Sequence, residues 1–508
     1  MGLDIGTTGS KAVIFDEQGQ ILSKEYAEYR LYHREPHFSE LNPCEVWDSI
    51  KKVIRESVKK SSIDPKEIKA VSTAVLGEAF IPVDQQGRPL YWSMTTYDAR
   101  AINQTIWWEE NFGSESMFKI TGQPLTRNMP IYTLQKIQWL KSNKPQIFAK
   151  TWKFLCWEDY FNFKLTGKAI TDYTVACRTM CFDMVKRRWS DEILDIAALD
   201  ESMLPEVKPS GHIVGEVTEK GAQEVGLNKG ALVIVGGHDQ PCGSLGAGIV
   251  EEGSLMDATG TVECYGVVQD SLVINDHMRR QGFAIHNYVI HDKYFMFGFT
   301  PTGGSILRWF RDNFGFEEKE EAKQRKVDEY DILTSKALKV KPGASNLFLF
   351  PYFEGSGTPT WDRRGRGTLI GLTLSHTKSD IIRAILESLA YELKLNIKTI
   401  ESYDIKVKDV RAIGGGAKSS LWLQIKADIT GKEILVPMTK MEATALGAAM
   451  LAAKGAGIYR DISEATKYMH RISERYTPKA ENKKIYDKTY HKYMKLARIL
   501  KNTYIFFG

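Results

Sequence analysis

The stretch Gly367–Glu387, GTLIGLTLSHTKSDIIRAILE, decides the fold. In its first part, Gly367, Leu369, Gly371 and Leu372 form a small-apolar-glycine-apolar unit, which is typical of a strand that ends in a tight turn. From Ile381 onward apolar residues recur at helical spacing, and Ser379 or Asp380 is suited to the N-cap of that helix. From the residues alone, the segment is predicted to be a strand end, a loop and a buried helix.

The same stretch resembles, position by position, the second signature of the FGGY carbohydrate kinases. These are ATP-dependent kinases of sugars and polyols built on the actin and hexokinase fold. The resemblance implies an α/β chain with two ribonuclease-H-like domains around a central cleft. Residues 1–248 would form an N-terminal domain that carries the sugar site, the first phosphate loop and the catalytic base. Residues 249–508 would form a C-terminal, nucleotide-binding domain.

Local patterns agree with an α/β organisation in both halves. Residues 12–15 and 21–27 are predicted to form a hairpin, and Asn42 and Pro43 suit the start of an amphipathic helix. The runs 70–75 and 410–413 are predicted to be buried strands. Because only three residues precede Asp4, we expect that a few N-terminal residues are absent from this sequence.

The composition of the chain limits which partners and cellular locations are expected. The 508 residues carry 68 basic and 63 acidic side chains, a net charge of +5 that gives no reason to expect a nucleic-acid partner. The six cysteines form no zinc spacing, and Cys177 and Cys181 would share a helix face if that segment is helical. No signal peptide or membrane-length apolar run is visible. We therefore expect a cytoplasmic protein without a membrane partner, and a homodimer is compatible with these features.

The first candidate site is the loop after the first strand. Glycines let backbone amides approach a phosphate, threonines add hydroxyl donors and a lysine adds a point charge. An ordinary hairpin turn with a charged rim is the alternative. The resemblance implies that this is the first phosphate loop, that its acid holds Mg²⁺ through water, and that its threonine and lysine act in catalysis. The residues concerned are Asp4, Gly6, Thr7, Thr8 and Lys11.

The second candidate site follows the apolar run 231–235. Asp239 stands after Gly236, Gly237 and His238, at the end of a predicted buried strand. A sugar hydroxyl needs a base as it attacks the γ-phosphate of ATP. The resemblance implies that Asp239 is that base and contacts the sugar. Capping of the following helix is the alternative for Asp239, and His238 is interpreted as a hydrogen-bonded neighbour.

Two glycine loops of the second half complete the candidate nucleotide site. By resemblance, Gly260 and Thr261 belong to the second phosphate loop, and Gly415, Gly416 and Ala417 lie under the α-phosphate and ribose of ATP. Ordinary glycine turns are the alternative for both. The small-residue segment 441–449 would pack against adenine by the same resemblance, or serve tight helix packing.

The substrate end departs from the subfamilies that it resembles. Gly77 and Glu78 stand where glycerol kinases carry Arg-Glu, and Ile131 replaces a tyrosine. The segment 97–100, which contains Asp98, lies where xylulokinases have Trp-Asn-Asp. Gly77, Glu78 and Asp98 are therefore predicted to bind substrate. The segment around Arg178 resembles glycerol kinases and is interpreted as structural. We expect a pocket that is roomier and less cationic than a glycerol site.

The sequence thus predicts an enzyme that uses ATP and Mg²⁺ to phosphorylate a pentulose, a hexulose or a five- or six-carbon polyol. The alternative hypothesis is an ATP-driven conformational switch of the actin or chaperone type. In that case Asp239 and Glu78 would meet no substrate hydroxyl, and sugar would not stimulate ADP release.

Overall fold

Two mixed β-sheets organise the chain, one in each half. They are seen in a computed structural model that describes residues 1–127 and 129–506. The first sheet has parallel pairing in its centre and antiparallel pairing on both sides. Its six strands follow the spatial order Ile213–Glu216, Leu232–His238, Ala70–Val75, Gly2–Ile5, Gly9–Phe15 and Ile21–Glu28.

The second sheet repeats this plan. Antiparallel strands lie on one side, two parallel pairings follow, and a last antiparallel strand closes the edge. Its seven strands follow the order Ala284–Asn287, Tyr294–Thr300, Glu263–Gln269, Ser254–Thr259, Asp409–Ile413, Glu433–Pro437 and Ile472–Tyr476. The repeated α/β theme predicted from the sequence is therefore present in the strand order.

Helices and small sheets surround the two large sheets. The helices of the first half are Pro43–Ser61, Ile102–Asn111, Ser114–Thr121, Thr133–Asn143, Pro145–Lys150, Trp157–Thr166, Tyr173–Arg178, Asp191–Ala197, Glu219–Val225 and Asp239–Gly246. Those of the second half are Asp276–Arg280, Gly304–Phe314, Phe316–Arg325, Glu329–Leu338, Lys378–Glu401, Ser420–Thr430, Ala443–Gly455, Ile462–Met469 and Ala480–Lys501. A five-stranded sheet joins Leu31–Tyr32, Glu40–Leu41, Ser93–Met94, Phe80–Val83 and Lys153–Cys156. Two-stranded sheets pair Ile170–Asp172 with Glu206–Lys208, Phe182–Asp183 with Arg188–Trp189, and Phe348–Phe350 with Thr368–Ile370.

Local capping signals confirm two predicted helices. Asn42 caps the helix Pro43–Ser61, and its side chain accepts a hydrogen bond from the Cys44 amide at 3.1 Å. The long helix Lys378–Glu401 begins slightly earlier than predicted, because Thr377 is its N-cap. The Asp380 carboxylate reaches back to the Thr377 amide at 2.9 Å, which closes the first turn.

The predicted strand 70–75 is present, and two other segments differ from the expectation. A turn that contains Gly77 and Glu78 separates Ala70–Val75 from the next strand, Phe80–Val83. The strand before Asp239 extends to His238 instead of ending at residue 235. Cys177 and Cys181 do not share a helix face, because the helix ends at Arg178.

The helix Ala443–Gly455 packs between the two halves. A Cβ atom on Gly447 would lie 1.9 Å from the Cys242 carbonyl oxygen, and one on Gly246 would lie 1.8 Å from the Ala443 oxygen. Only glycine permits such backbone contact. The small residues of 443–455 therefore serve tight helix packing against the helix that begins with Asp239, and the prediction that they contact adenine has no support here.

Candidate active site

The first phosphate loop lies at the end of the strand Gly2–Ile5. Antiparallel pairing places Lys11 directly opposite Asp4, so the acid and the amine share one end of the sheet. Burial raises the pKa of Asp4, and the charge of Lys11 opposes that shift. The Lys11 amine donates to the Met441 carbonyl of the second half at 3.0 Å. This loop therefore faces the C-terminal half.

Tyr29 holds the same loop, and sequence reasoning missed it. Its amide donates to the Thr8 carbonyl at 3.2 Å, and its phenol donates to the Gly6 carbonyl. Gly6 and Thr7 are half-buried, and Thr8 is exposed. The strand Ile21–Glu28 ends just before Tyr29, which brings the phenol under the loop.

Asp239 is the first residue of the helix Asp239–Gly246, and His238 occupies the N-cap position. The Asp239 carboxylate oxygen Oδ1 lies 3.0 Å from His238 Nε2, and the Asp239 side chain is 30% exposed. Burial, followed by the nearby charges of Asp4 and Glu78, raises the pKa of Asp239 to about 7. Burial also lowers the pKa of His238 well below its ordinary value, so a neutral ring donates to the carboxylate.

The raised pKa of Asp239 predicts a stability change that depends on pH. The pKa rises from 3.8 to about 7 on folding. Between these pH values Asp239 is protonated to a greater extent in the folded protein than in the unfolded chain. The free energy of unfolding therefore falls as pH rises from 3.8 to about 7. Asp239→Asn should therefore stabilise the protein by about 1–3 kcal/mol at pH 8 and by much less at pH 5, since one pKa unit corresponds to about 1.4 kcal/mol. Urea unfolding at both pH values measures this, and an equal effect at both would contradict it.

Glu78 forms a buried ion pair at the substrate end. Its Oε1 accepts hydrogen bonds from Arg178 Nε at 2.7 Å and from Arg178 Nη2, and Thr96 Oγ1 donates to Oε2 at 2.6 Å. Glycerol kinases carry an arginine at the position of Gly77. In this chain, the arginine that contacts Glu78 comes instead from the end of the helix Tyr173–Arg178. The expectation of a less cationic pocket and the interpretation of Arg178 as structural stay predictions.

Gly77 makes room for this arrangement. A Cβ atom on Gly77 would lie 2.7 Å from His238 Cδ2 and 3.0 Å from Arg178 Cγ. Arg178 also stacks on the ring of Tyr132, with its Cζ 5.1 Å from the ring centroid. The substrate end therefore does contain a tyrosine side chain, that of Tyr132, one residue after Ile131. The resemblance to glycerol kinases around Arg178 was the one sequence signal that could have indicated these contacts.

Asp98 is engaged inside the protein. Its carboxylate accepts hydrogen bonds from Arg100 Nε at 2.8 Å and from the Ser39 amide at 2.7 Å, and the residue is 1% exposed. The neighbouring Tyr97 is 62% exposed. Burial and the nearby Cys264, Glu78 and Asp239 nevertheless raise the pKa of Tyr97 to about 12. The exposed phenol of Tyr97 is therefore available to a ligand, whereas the Asp98 carboxylate is occupied by Arg100 and Ser39.

The glycine loops of the second half meet at a cavity of about 250 Å³. Gly414 and Gly416 pack on Thr259, since a Cβ atom on either would lie within 2.7 Å of it. Ala417, predicted to bind cofactor, is 1% exposed and packs in the core. The cavity is lined by Thr259, Gly260, Gly304, Leu307, Arg308, Asp328, Tyr330, Asp331, Thr334, Gly415, Gly416, Lys418, Ser419 and Trp422.

A buried charge cluster supports the second phosphate loop. Lys426 Nζ lies 2.6 Å from Asp257 Oδ2, 2.6 Å from Glu263 Oε1 and 2.8 Å from Thr259 Oγ1. Burial raises the pKa of Glu263 to about 8 although Lys426 opposes the shift. The strand pairing Thr259↔Glu263 and the lysine together fix the turn that presents Gly260 and Thr261. Sequence reasoning missed this cluster.

Comparison with known proteins decides the family. The N-terminal domain of the FGGY family of carbohydrate kinases matches residues 1–246, and the C-terminal domain of that family matches residues 256–456. The chain belongs to the FGGY family of carbohydrate kinases. It is therefore an ATP-dependent kinase that acts on a small-molecule sugar or polyol, and the predicted family and enzyme class are confirmed.

Relatives of this FGGY kinase match along almost its whole length. A xylulose kinase of Staphylococcus epidermidis is 29% identical over 97% of this chain and 95% of its own. A gluconokinase of Bacillus licheniformis is 30% identical over 99% of this chain and 96% of its own. The crystal structure of a ligand-bound xylulose kinase from Lactobacillus acidophilus superposes with a TM-score of 0.88 at 24% identity, covering 100% of this chain and 99% of that one. The two-domain actin/hexokinase-type fold is thereby confirmed, and the conformational-switch hypothesis gains no support.

Two further observations concern cofactors and membranes. Among residues 1–127 and 129–506 there is no group of three or more His, Cys, Asp or Glu side chains that could hold a metal ion. Within the same part of the chain, each helix is too short or too polar to cross a bilayer.

Proposed function

We propose that this kinase transfers the γ-phosphoryl group of ATP to a hydroxyl of a pentulose, a hexulose or a five- or six-carbon polyol, with Asp239 as general base. The position of Asp239 carries the proposal. Its carboxylate is 30% exposed at the start of a helix, and its pKa of about 7 lies near working pH. A base with such a pKa accepts a proton in the transition state with good driving force.

The two oxygens of Asp239 have separate tasks in this proposal. Oδ1 accepts the hydrogen bond of His238 Nε2 at 3.0 Å, which fixes the plane of the carboxylate. The other oxygen then faces the acceptor hydroxyl. As the hydroxyl oxygen attacks the γ-phosphorus, its proton passes to Asp239 and ADP leaves.

The phosphate groups would lie between loops of both halves. Gly6, Thr7 and Thr8 offer amides and hydroxyls from one side, and Gly260 and Thr261 offer them from the other. Lys11 would exchange the Met441 carbonyl for the migrating phosphoryl group. On the nucleotide side, Gly415 and Gly416 line the cavity beside Trp422, which suits a ribose and the base beyond it.

Asp4 is proposed to hold Mg²⁺ through water. A single strand-end carboxylate beside a phosphate loop fits the preference of Mg²⁺ for few protein ligands and several waters. When bound, the ion would neutralise charge on the phosphates.

We further propose a domain boundary at residues 248 and 249, because the helix Asp239–Gly246 ends the first half and the strand Ser254–Thr259 begins the second sheet. A cytoplasmic location and a homodimer stay predictions.

Lys11→Ala should lower kcat by roughly 10²-fold and change the KM for sugar little, because the amine meets charge that develops on the phosphoryl group. Steady-state kinetics with varied sugar at saturating ATP measure both constants. An unchanged kcat with a raised sugar KM would instead place Lys11 at the sugar.

Lys24→Ala is the matched control for that experiment. Lys24 also reaches the second half, through an ion pair with Glu442 at 2.9 Å, one residue from the Met441 contact of Lys11. It offers no charge to the phosphate loop. A loss of kcat in both variants would show that contact between the halves, and not phosphate binding, explains the effect.

A screen of acceptors tests the function itself. ADP release is measured with pentuloses, hexuloses, pentitols, tetritols and glycerol. We expect a five- or six-carbon acceptor to exceed glycerol at least tenfold in kcat/KM, which corresponds to about 1.4 kcal/mol. Similarity to enzymes named xylulose kinase and gluconokinase supports this order. Glycerol as the best acceptor would overturn it, and ADP release without stimulation by any acceptor would remove the proposed function.

A further inference from the structure

The strand Leu232–His238, which leads to Asp239, contains a β-bulge. Its register advances three residues, from Ile234 to Gly237, while the neighbouring strand Ala70–Val75 advances two. One extra residue therefore lies in the strand just before the proposed base. A bulge bends its strand and changes the direction of the side chains that follow, which is why bulges are frequent beside active sites.

Two buried side chains accept the backbone amides of the bulge. Glu158 Oε1 accepts a hydrogen bond from the Gly236 amide at 2.6 Å, and Thr174 Oγ1 accepts one from the His238 amide at 2.7 Å. Both side chains belong to residues that are 0% exposed. Because a buried amide needs an acceptor, these two contacts fix the backbone of the bulge where the strand pairing is irregular.

Asp172 links the two acceptors. The Thr174 hydroxyl donates to Asp172 Oδ1 at 2.9 Å, and the Asp172 amide donates to Glu158 Oε2 at 3.0 Å. Asp172 is also the N-cap of the helix Tyr173–Arg178. A hydroxyl has one proton, so donation to Asp172 leaves the lone pairs of Thr174 Oγ1 for the His238 amide.

The two glycines before His238 allow these contacts. A Cβ atom on Gly237 would lie 2.9 Å from Thr174 Oγ1, and one on Gly236 would lie 1.8 Å from the Thr73 carbonyl oxygen. A side chain at either position would push the strand away from its supports. The glycines therefore let the bulge lie directly against Thr174.

We propose that Thr174 is a positioning residue for phosphoryl transfer, and that its hydroxyl, together with Glu158, sets the direction in which the Asp239 carboxylate faces. This inference rests on the proposed function of Asp239 as base and adds the residues that position it. His238 is the N-cap of the helix that begins with Asp239, and its ring contacts the carboxylate. A shift of the His238 amide would therefore move both the base and the ring that orients it.

The test is a double-mutant cycle of Thr174→Val and Asp239→Asn. Valine keeps the shape of threonine but leaves the His238 amide without its acceptor. Thr174→Val should lower kcat about tenfold or more with little change in sugar KM, because a small displacement of a reacting group is costly. In the Asp239→Asn background the same change should lower kcat less than about twofold, since no base is left to position. Thr174→Ser keeps the hydroxyl and should regain most of the wild-type kcat.

Thr489→Val is the matched control. Thr489 is 7% exposed in the second half, and its hydroxyl lies 2.8 Å from the Tyr391 phenol and 3.3 Å from the Ile485 carbonyl. The substitution removes a buried, hydrogen-bonded hydroxyl just as Thr174→Val does. It should lower the melting temperature but leave kcat of the folded enzyme unchanged.

The outcomes separate this inference from the proposed function. An equal loss of kcat in both backgrounds, or a Thr174→Ser enzyme as slow as Thr174→Val, overturns the positioning role and leaves Asp239 as base. If Thr174→Val does not fold, Glu158→Gln enters the same cycle, since glutamine offers one oxygen for two amides. A loss in Glu158→Gln that persists in the Asp239→Asn background would equally overturn the inference. Wild-type kcat in Asp239→Asn alone would remove the proposed base and this inference with it.

Discussion

Asp239→Asn is expected to lower kcat by about 10²–10⁴-fold, the usual cost of losing a general base. Asparagine keeps the shape of the side chain and can still accept the His238 hydrogen bond, but it cannot take a proton from the acceptor. ATP binding should be retained, because the nucleotide cavity is lined by residues of the second half. Turnover by ADP release and nucleotide affinity by calorimetry measure the two expectations.

Asp191→Asn is the control for this prediction. Asp191 is likewise the first residue of a helix in the first half, with Ser190 as its N-cap. The same substitution there removes a favourable charge near a helix N-terminus, an effect of about 0.3–1 kcal/mol, without touching the cleft. Turnover that falls less than about tenfold in Asp239→Asn, or equally in both variants, would contradict the assignment of Asp239 as base.

The sequence was sufficient to predict structural features that depend on residues close to one another in the chain. The helix that begins after Asn42 has its cap and its first-turn proline next to each other, so a few residues contain the whole signal. The same holds for the hairpin predicted at residues 12–15 and 21–27, whose two strands pair antiparallel in the structure. The glycine loop 414–416 could be found because Gly414 and Gly416 lie so close to Thr259 that a Cβ atom on either would clash. Their roles toward ATP stay predictions.

The substrate end could not be predicted, because its partners are distant in sequence. Glu78 and Arg178 are 100 residues apart and meet only through the fold. The absence of an arginine beside Glu78 in the sequence therefore did not show that an arginine contacts Glu78 in the fold. Asp98 illustrates the same limit, since a carboxylate at a plausible position is satisfied by Arg100 two residues later.

Small residues are ambiguous for a related reason. Alanine and glycine in 443–455 suit both a nucleotide surface and a close helix contact, and the sequence does not show which partner approaches. The structure places the Cys242 carbonyl against Gly447. Because Cys242 belongs to the helix that starts at Asp239, this contact links the proposed base directly to the second half. A helix junction made of backbone contacts positions the base with little room for adjustment.

Lys426→Met is expected to destabilise the protein by about 3–5 kcal/mol, because it leaves buried carboxylates without their cation. The three contacts of Lys426 Nζ to Asp257, Glu263 and Thr259 all lie within 2.8 Å, and the residue is 2% exposed. Thr259 begins the turn that presents Gly260 and Thr261, so the affinity for ATP should fall as well. Urea unfolding and ATP titration of the variant measure the two effects.

Two companion variants decide whether the charge or the packing of Lys426 matters. Lys394→Met removes a lysine that pairs with the half-exposed Asp487 at 2.7 Å, and it should cost much less because water can solvate the remaining carboxylate. Lys426→Met combined with Asp257→Asn and Glu263→Gln removes all three charges, so stability should return. ATP affinity should stay low in that triple variant, because Thr259 has still lost the ammonium that fixes its hydroxyl. Full recovery of both quantities would show that Lys426 only neutralises its neighbours, and a stable Lys426→Met single variant would contradict the buried cluster itself.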